Sequence, residues 1–273
     1  MPPDPTTVTK SVTRIRDTAS TVDDDVLVIE EPLEIRIADE PLAVTMRTPG
    51  HDCDLVAGFC LTEGIVTDPD EIESVEECGE AEYGNVMAVT LTDEAMQRRM
   101  EQITCARREL YMSSSCGLCG KQSIDRIYQR IAPIRGNFTI ARDTLAALPE
   151  TMRTSQETFR QTGGLHAAGI FTPGGVLNVL REDVGRHNAV DKVIGHQLLL
   201  GRAPIDPAVL LVSGRASFEI MQKAAVAGIA FVAAVSAPSS LAVDFAVKTG
   251  MTLVGFLRSG RMNVYHGLER IHD

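Results

Sequence analysis

Two hydrophobic periods alternate along this chain. Residues 1–24 are polar, with Pro2, Pro3 and Pro5 ahead of the run Asp23-Asp24-Asp25, so residues 1–25 read as a flexible tail. Stretches 26–30, 33–37 and 42–48 are short β-like runs, with Ala38-Asp39-Glu40 as a turn. From 52 to 63 the apolar positions fall at 55, 56, 59 and 60, a helical spacing that Gly64 can stop. A strand is expected over 85–92, a helix over 93–103 and a short strand over 107–112. The second half alternates more cleanly. Strands 166–171 and 176–180 flank the turn Thr172-Pro173-Gly174-Gly175. Helix 183–200, strand 208–212, helix 217–227, strand 229–235, helix 239–249 and strand 251–257 follow. That order predicts an α/β fold: a mostly parallel sheet with helices on both faces, preceded by a smaller β-rich α+β domain. The expected division is a tail over 1–25, an N-terminal domain over 26–135 and a C-terminal domain over 136–273, with helix 143–162 bridging the halves.

At 273 residues and 44% hydrophobic, the chain can bury a sizeable core. No apolar run reaches eighteen residues. The richest, 224–237, is shorter and contains Gly228, and the start lacks an apolar signal region, so the expected location is cytoplasmic. The six cysteines are then thiols, ligands or catalysts rather than a disulfide framework. A net charge of -11, no Trp and 4% aromatics argue against nucleic acid and against an anionic membrane as partners. The charge is uneven. Up to residue 136 there are 13 basic and 26 acidic residues; after it, 13 and 11. The basic-leaning half is suited to an anion, while a solvated acidic face equally explains the other.

The sharpest local motif is Ser113-Ser114-Ser115-Cys116-Gly117-Leu118-Cys119-Gly120-Lys121, ahead of an expected helix over 122–131. A helix N-terminus and Lys121 favour a thiolate, which can attack a sulfane sulfur and carry it as a persulfide. One C-x-x-C is only half of a closed zinc site, and its setting does not suit a thioredoxin-like redox pair. Cys78-Gly79-Glu80 with Cys116 and Cys119 imitates the signature of a zinc deaminase, although Ser115 stands where that signature has proline. Cys60, on the apolar helical face, reads as core.

Three strands of the second half run into small, polar or basic residues: Ser213-Gly214-Arg215, Ser236-Ala237-Pro238-Ser239-Ser240 and Arg258-Ser259-Gly260-Arg261. In an open parallel sheet these segments converge at the carboxyl edge, where ligands bind, and arginine with glycine suits a phosphate. No dinucleotide fingerprint and no P-loop is present. Asp183, His187 and Asp191 stand four apart. On one helical face they would suit acid–base work or a metal; equally, Asp183 would simply cap a helix with a solvated face.

Six ordered motifs over residues 26–273 resemble one family. They are Ser115–Lys121, Gly163-Gly164-Leu165-His166-Ala167-Ala168, Glu182–Lys192, Ser213-Gly214-Arg215, Ser236–Ser240 and Gly255-Phe256-Leu257-Arg258. The chain is similar to the FdhD family of sulfur carrier proteins required for formate dehydrogenase activity. The resemblance implies a homodimeric sulfurtransferase without a cofactor or metal of its own and with a cytidine-deaminase-like C-terminal fold. Its implied partners are a cysteine desulfurase, which supplies persulfide sulfur, and formate dehydrogenase. Its implied substrate is the molybdenum cofactor, bis-molybdopterin guanine dinucleotide, with GDP as a fragment analogue. Cys116 would carry the persulfide and Cys119 would assist. Phe256, Leu257, Arg258, Ser259, Gly260 and Arg261, with Ser213 and Arg215 of the crevice, would bind the cofactor. The alternative is a chaperone that holds the cofactor without carrying sulfur.

Overall fold

The computed structural model describes residues 6–79, 85–111, 136, 138–258 and 260–273. The expected tail contains two paired strands from residue 7 onward. β1 (Thr7–Arg16) and β2 (Ala19–Val28) form an antiparallel ribbon in which Thr7 faces Val28. Alternating Thr and Val supply its β propensity, a pattern the neighbouring prolines and aspartates obscured.

A four-stranded sheet follows, built from β3 (Glu31–Ile37), β4 (Glu40–Arg47), β5 (Ile72–Glu77) and β6 (Val86–Leu91) in the order β4-β3-β6-β5. In β3, Leu33, Ile35 and Ile37 are buried while the residues between them are partly exposed, the period of a half-buried strand. α1 (Asp52–Thr62) lies between β4 and β5, and α2 (Asp93–Tyr111) follows β6. The strand expected over 107–112 is thus, as far as Tyr111, the continuation of a helix rich in good helix formers. β5 carries Glu73, Glu76 and Glu77, and this acidity masks its strand pattern in the sequence.

The second sheet has six strands. β8 (His166–Phe171), β9 (Leu177–Asp183), β10 (Val209–Val212), β11 (Phe231–Ala234), β12 (Thr252–Arg258) and β13 (Arg261–His266) take the order β13-β12-β11-β10-β8-β9. Only β10, β11 and β12 run parallel; β8, β9 and β13 are attached antiparallel. The expectation of a mostly parallel sheet is therefore corrected to a mixed one. The tight β8–β9 and β12–β13 turns leave no room for crossovers. Helices do cover both faces. Leu145, Leu148 and Met152 of α3 (Arg142–Ser155) pack with Val209, Leu211, Phe231 and Ala233 on one face. On the other, Leu210, Val212, Val232 and Ala234 meet α5 (Arg186–Leu199), α6 (Phe218–Val226) and α7 (Ser240–Thr249). The bridging helix breaks at Gln156 into α3 and the short α4 (Glu157–Thr162). Two further short strands, β7 (Ile140–Ala141) and β14 (Ile271–His272), pair in parallel.

α1 and α5 are buried nearly all round, and one continuous core runs from the four-stranded sheet through both helices to the six-stranded sheet. Their contact is set by two glycines. A Cβ on Gly58 would sit 1.9 Å from the Asp191 carbonyl oxygen, and one on Gly195 would sit 1.8 Å from that of Asp54. The helices therefore meet backbone to backbone.

Candidate functional site

A cleft of about 790 Å³ opens at one edge of the six-stranded sheet. Ser213, Val235 and Arg258, at or just beyond the carboxyl ends of β10, β11 and β12, form one wall with Gly260. His166 belongs to the same edge, because β8 runs antiparallel to β10 and begins where β10 ends. The opposite wall comes from α3 and α4: Ala146, Pro149, Glu150 and Arg153 recur at helical spacing, followed by Gln156 and Phe159. Gly163, Gly164 and Leu165 close one end. Helix α4 is fixed by Glu182 of β9, whose carboxylate accepts hydrogen bonds from Thr158 N (3.0 Å) and Phe159 N (2.9 Å), two donors a helix start leaves free.

The cleft has apolar walls with polar groups at defined points. Arg153 pairs with Glu150, at 2.7 Å, on an exposed turn. Ser213 Oγ accepts the Ala167 N–H at 2.9 Å, joining β10 to β8. Burial, then the positive charge of Arg186, holds the His166 imidazole below its ordinary pKa of 6.5. Phe256 adopts φ 52° within β12 beside a register shift, an uncommon conformation for a bulky residue. Its N–H donates to Ser236 O at 3.0 Å, which ties the β12 end to the β11 end.

The proposed cofactor residues divide. Ser213, Arg258 and Gly260 line the cleft. Leu257 is fully buried under α3 and is a core residue. Phe256 shapes the strand end, while Arg261 and Arg215 are exposed and do not line the cleft. Ser259 lies outside the described residues, as do Cys116 and Cys119 with the whole segment 113–121. The segment 236–240 folds against Ala216 instead, through an Ala216–Pro238 bridge and the Ser239 N–H to Ala216 O bond of 3.0 Å. The α3–α4 wall escaped sequence reasoning, although the stripe beside Leu145, Leu148 and Met152 marks its second face.

His187 and Asp191 stand one turn apart on α5 and both meet α6, but Asp183 does not join them, because the helix begins at Arg186 rather than at Asp183. Asp183 ends β9, is completely buried and pairs with Lys192 Nζ at 2.8 Å. Its carboxylate also accepts hydrogen bonds from Thr48 N, Gly185 N and Asn188 Nδ2. Asp191 pairs with Lys223 at 2.9 Å and accepts from Thr62 Oγ1 at 2.8 Å. His187 meets Glu219 at 2.9 Å. The two carboxylates are thus structural, each neutralised by its own lysine. Among the described residues no group of three or more His, Cys, Asp or Glu is placed to hold a metal ion. Cys60 is fully buried, and its thiol is pushed up to about 12 by burial, so it is inert as a nucleophile.

A sequence model of the FdhD/NarQ family matches residues 28–272. The chain belongs to the FdhD/NarQ family. It is 50% identical over 267 residues to the sulfur carrier protein FdhD of Streptomyces coelicolor, covering 96% of this chain and 94% of the relative. The FdhD sulfur carrier of Mycobacterium tuberculosis is 49% identical over 253 residues, covering 90% and 92%. Among solved structures, a proposed formate dehydrogenase accessory protein from Desulfotalea psychrophila superposes with a TM-score of 0.79 at 26% identity, covering 98% of this chain and all of that one. The family resemblance read from the six motifs is thereby confirmed. No helix among the described residues is long and apolar enough to cross a membrane.

Proposed function

We propose that this FdhD/NarQ protein carries sulfane sulfur on Cys116 and delivers it to the molybdenum cofactor, bis-molybdopterin guanine dinucleotide, seated in the cleft at the sheet edge. The observation that carries this reading is the convergence of Ser213, Arg258 and Gly260 with Gly163 and Gly164 around one opening of about 790 Å³. Its volume suits a nucleotide-sized ligand. Its apolar walls suit flat heterocycles, and Arg258 supplies a cation for a diphosphate. Loading is a thiolate exchange. The Cys116 thiolate attacks the terminal sulfur of a cysteine desulfurase persulfide, the desulfurase cysteine leaves as a thiolate, and the terminal sulfur stays on Cys116. Cys119 assists, and formate dehydrogenase receives the sulfurated cofactor. A cytoplasmic homodimer is part of the same reading.

Mass spectrometry after incubation with a cysteine desulfurase and cysteine tests it. A gain of roughly 32 Da, one sulfur atom, is expected on Cys116. It is lost in Cys116→Ala, which also fails to support formate dehydrogenase activation. Absence of the adduct on wild-type protein overturns sulfur carriage and leaves a protein that only holds the cofactor. Arg258→Ala should weaken GDP binding roughly tenfold or more, as loss of a charge-assisted contact does.

A further inference from the structure

The cleft contains a buried polar residue whose side-chain bonding the described residues do not complete. Gln156 is 4% exposed and lines the cleft where α3 gives way to α4. Its backbone is engaged: the N–H donates to Arg153 O and the carbonyl accepts from Arg160 N, both at 3.4 Å. Its side-chain amide has no hydrogen-bond partner among the described residues. The amide is not enclosed in the core but reaches the cleft, where it is free to bond a ligand in place of water, and methionine would fill the same space without offering that bond. The backbone that carries it is also held in place, because the Glu182 carboxylate anchors the first turn of α4 immediately after it. Phe159, three residues on, presents an aromatic ring on the same wall.

A primary amide offers one acceptor and two donors side by side. Its complement is a planar group with an adjacent N–H and C=O, the lactam edge of a fused-ring heterocycle. We propose that Gln156 is the specificity-determining residue of the cleft, pairing through its amide with a lactam edge of the bound cofactor. This rests on the reading of the cleft as the cofactor site. Guanine and the pterin both carry such an edge, so separate ligands distinguish them.

The test is calorimetry on wild type and Gln156→Met with GDP, ADP, inorganic pyrophosphate and a free pterin. In the variant, affinity for GDP should fall about tenfold, the effect of leaving one hydrogen-bonded edge unmatched, with ADP and pyrophosphate unchanged. The same loss on the free pterin instead assigns the edge to the pterin. Unchanged affinity for both lactam ligands overturns the proposal while leaving the cleft a nucleotide site. Failure of wild type to bind any of the four overturns the cofactor reading itself. The melting temperature of Gln156→Met should equal or exceed that of wild type. A marked fall shows that the amide serves the fold and also overturns the proposal. Wild type alone provides a second check: it should prefer GDP to ADP, or a pterin to its diamino counterpart. Absence of both preferences sinks the idea without any variant.

Discussion

His166 stands half-buried on the cleft wall, with Gly214 beneath its ring, where an added Cβ would lie 3.3 Å from Nδ1. Burial, Arg186 and His187 all favour its neutral form, and only Asp183 opposes them. As pH falls below the ordinary value of 6.5, the unfolded chain takes up this proton before the folded protein does. Stability therefore declines with acidification through that window and is fully present above it. A bound anion reverses the preference, because the imidazolium adds a positive charge to the cleft. GDP should accordingly bind more tightly as pH is lowered from about 7.5 to 5.5, and His166→Gln should flatten that dependence. Titration by calorimetry at fixed ionic strength checks this, and an identical pH profile in the variant refutes it. At this scale the sequence was partly legible. Ser213, Arg258 and Gly260 are where small and basic residues after strands placed them. Gln156 was not legible, because nothing local distinguishes a glutamine that finds a partner from one that does not.

Helix α1 shows how an element can be read correctly while its role stays hidden. Its apolar positions predict a helix, and the helix spans Asp52–Thr62. Its docking onto α5 depends on Gly58 and Gly195, which carry no hydrophobic signal. Alanine is intrinsically the better helix former by about 1 kcal/mol, so packing alone opposes it here. Gly195→Ala places a methyl group into the Asp54 carbonyl and the Gly58 N–H. It should destabilise the protein by about 1–3 kcal/mol or more, because two backbones must separate. Gly79→Ala, with nothing within 4 Å of the new Cβ, is the control and should stay near wild type. Urea denaturation decides, and an unaffected midpoint in Gly195→Ala contradicts the close approach. The same reasoning explains the sheet. Buried β10 and β11 are apolar on both faces and unmistakable, whereas the edge strand β13 is polar and partly exposed, so pattern alone counted too few antiparallel neighbours.

Across the whole molecule, two buried ionic networks join the four-stranded half to the six-stranded half. One links Thr48, after β4, to Asp183 and Lys192; the Lys192 ammonium also donates to Thr48 O at 2.8 Å. The other links Thr62 and Glu63, at the end of α1, to Asp191 of α5 and Lys223 of α6. The motif Glu182–Lys192 thus holds the architecture together beside the cleft. From sequence its density of charge looked like chemistry, because the partners Thr48, Thr62 and Lys223 are remote in the chain. Burial pushes the Asp191 carboxyl above its ordinary 3.8 even with Lys223 beside it, while Asp191 and Glu63 hold the Lys223 ammonium charged against its own desolvation. Removing the lysine leaves a carboxylate with Thr62 as its hydroxyl donor and no cation. Lys223→Met should therefore cost about 3–5 kcal/mol at neutral pH. The deficit should shrink on acidification: a carboxyl with a raised folded pKa binds its proton more tightly in the folded state, so stability falls as pH rises above the ordinary 3.8. The double variant Asp191→Leu/Lys223→Met removes both charges and should recover most of the loss, since a buried pair contributes little net stability over apolar residues of similar size. Urea midpoints of the two single variants and the double variant, at neutral and mildly acidic pH, measure the coupling. Additive single effects with no pH dependence would show that Asp191 and Lys223 are not acting on each other.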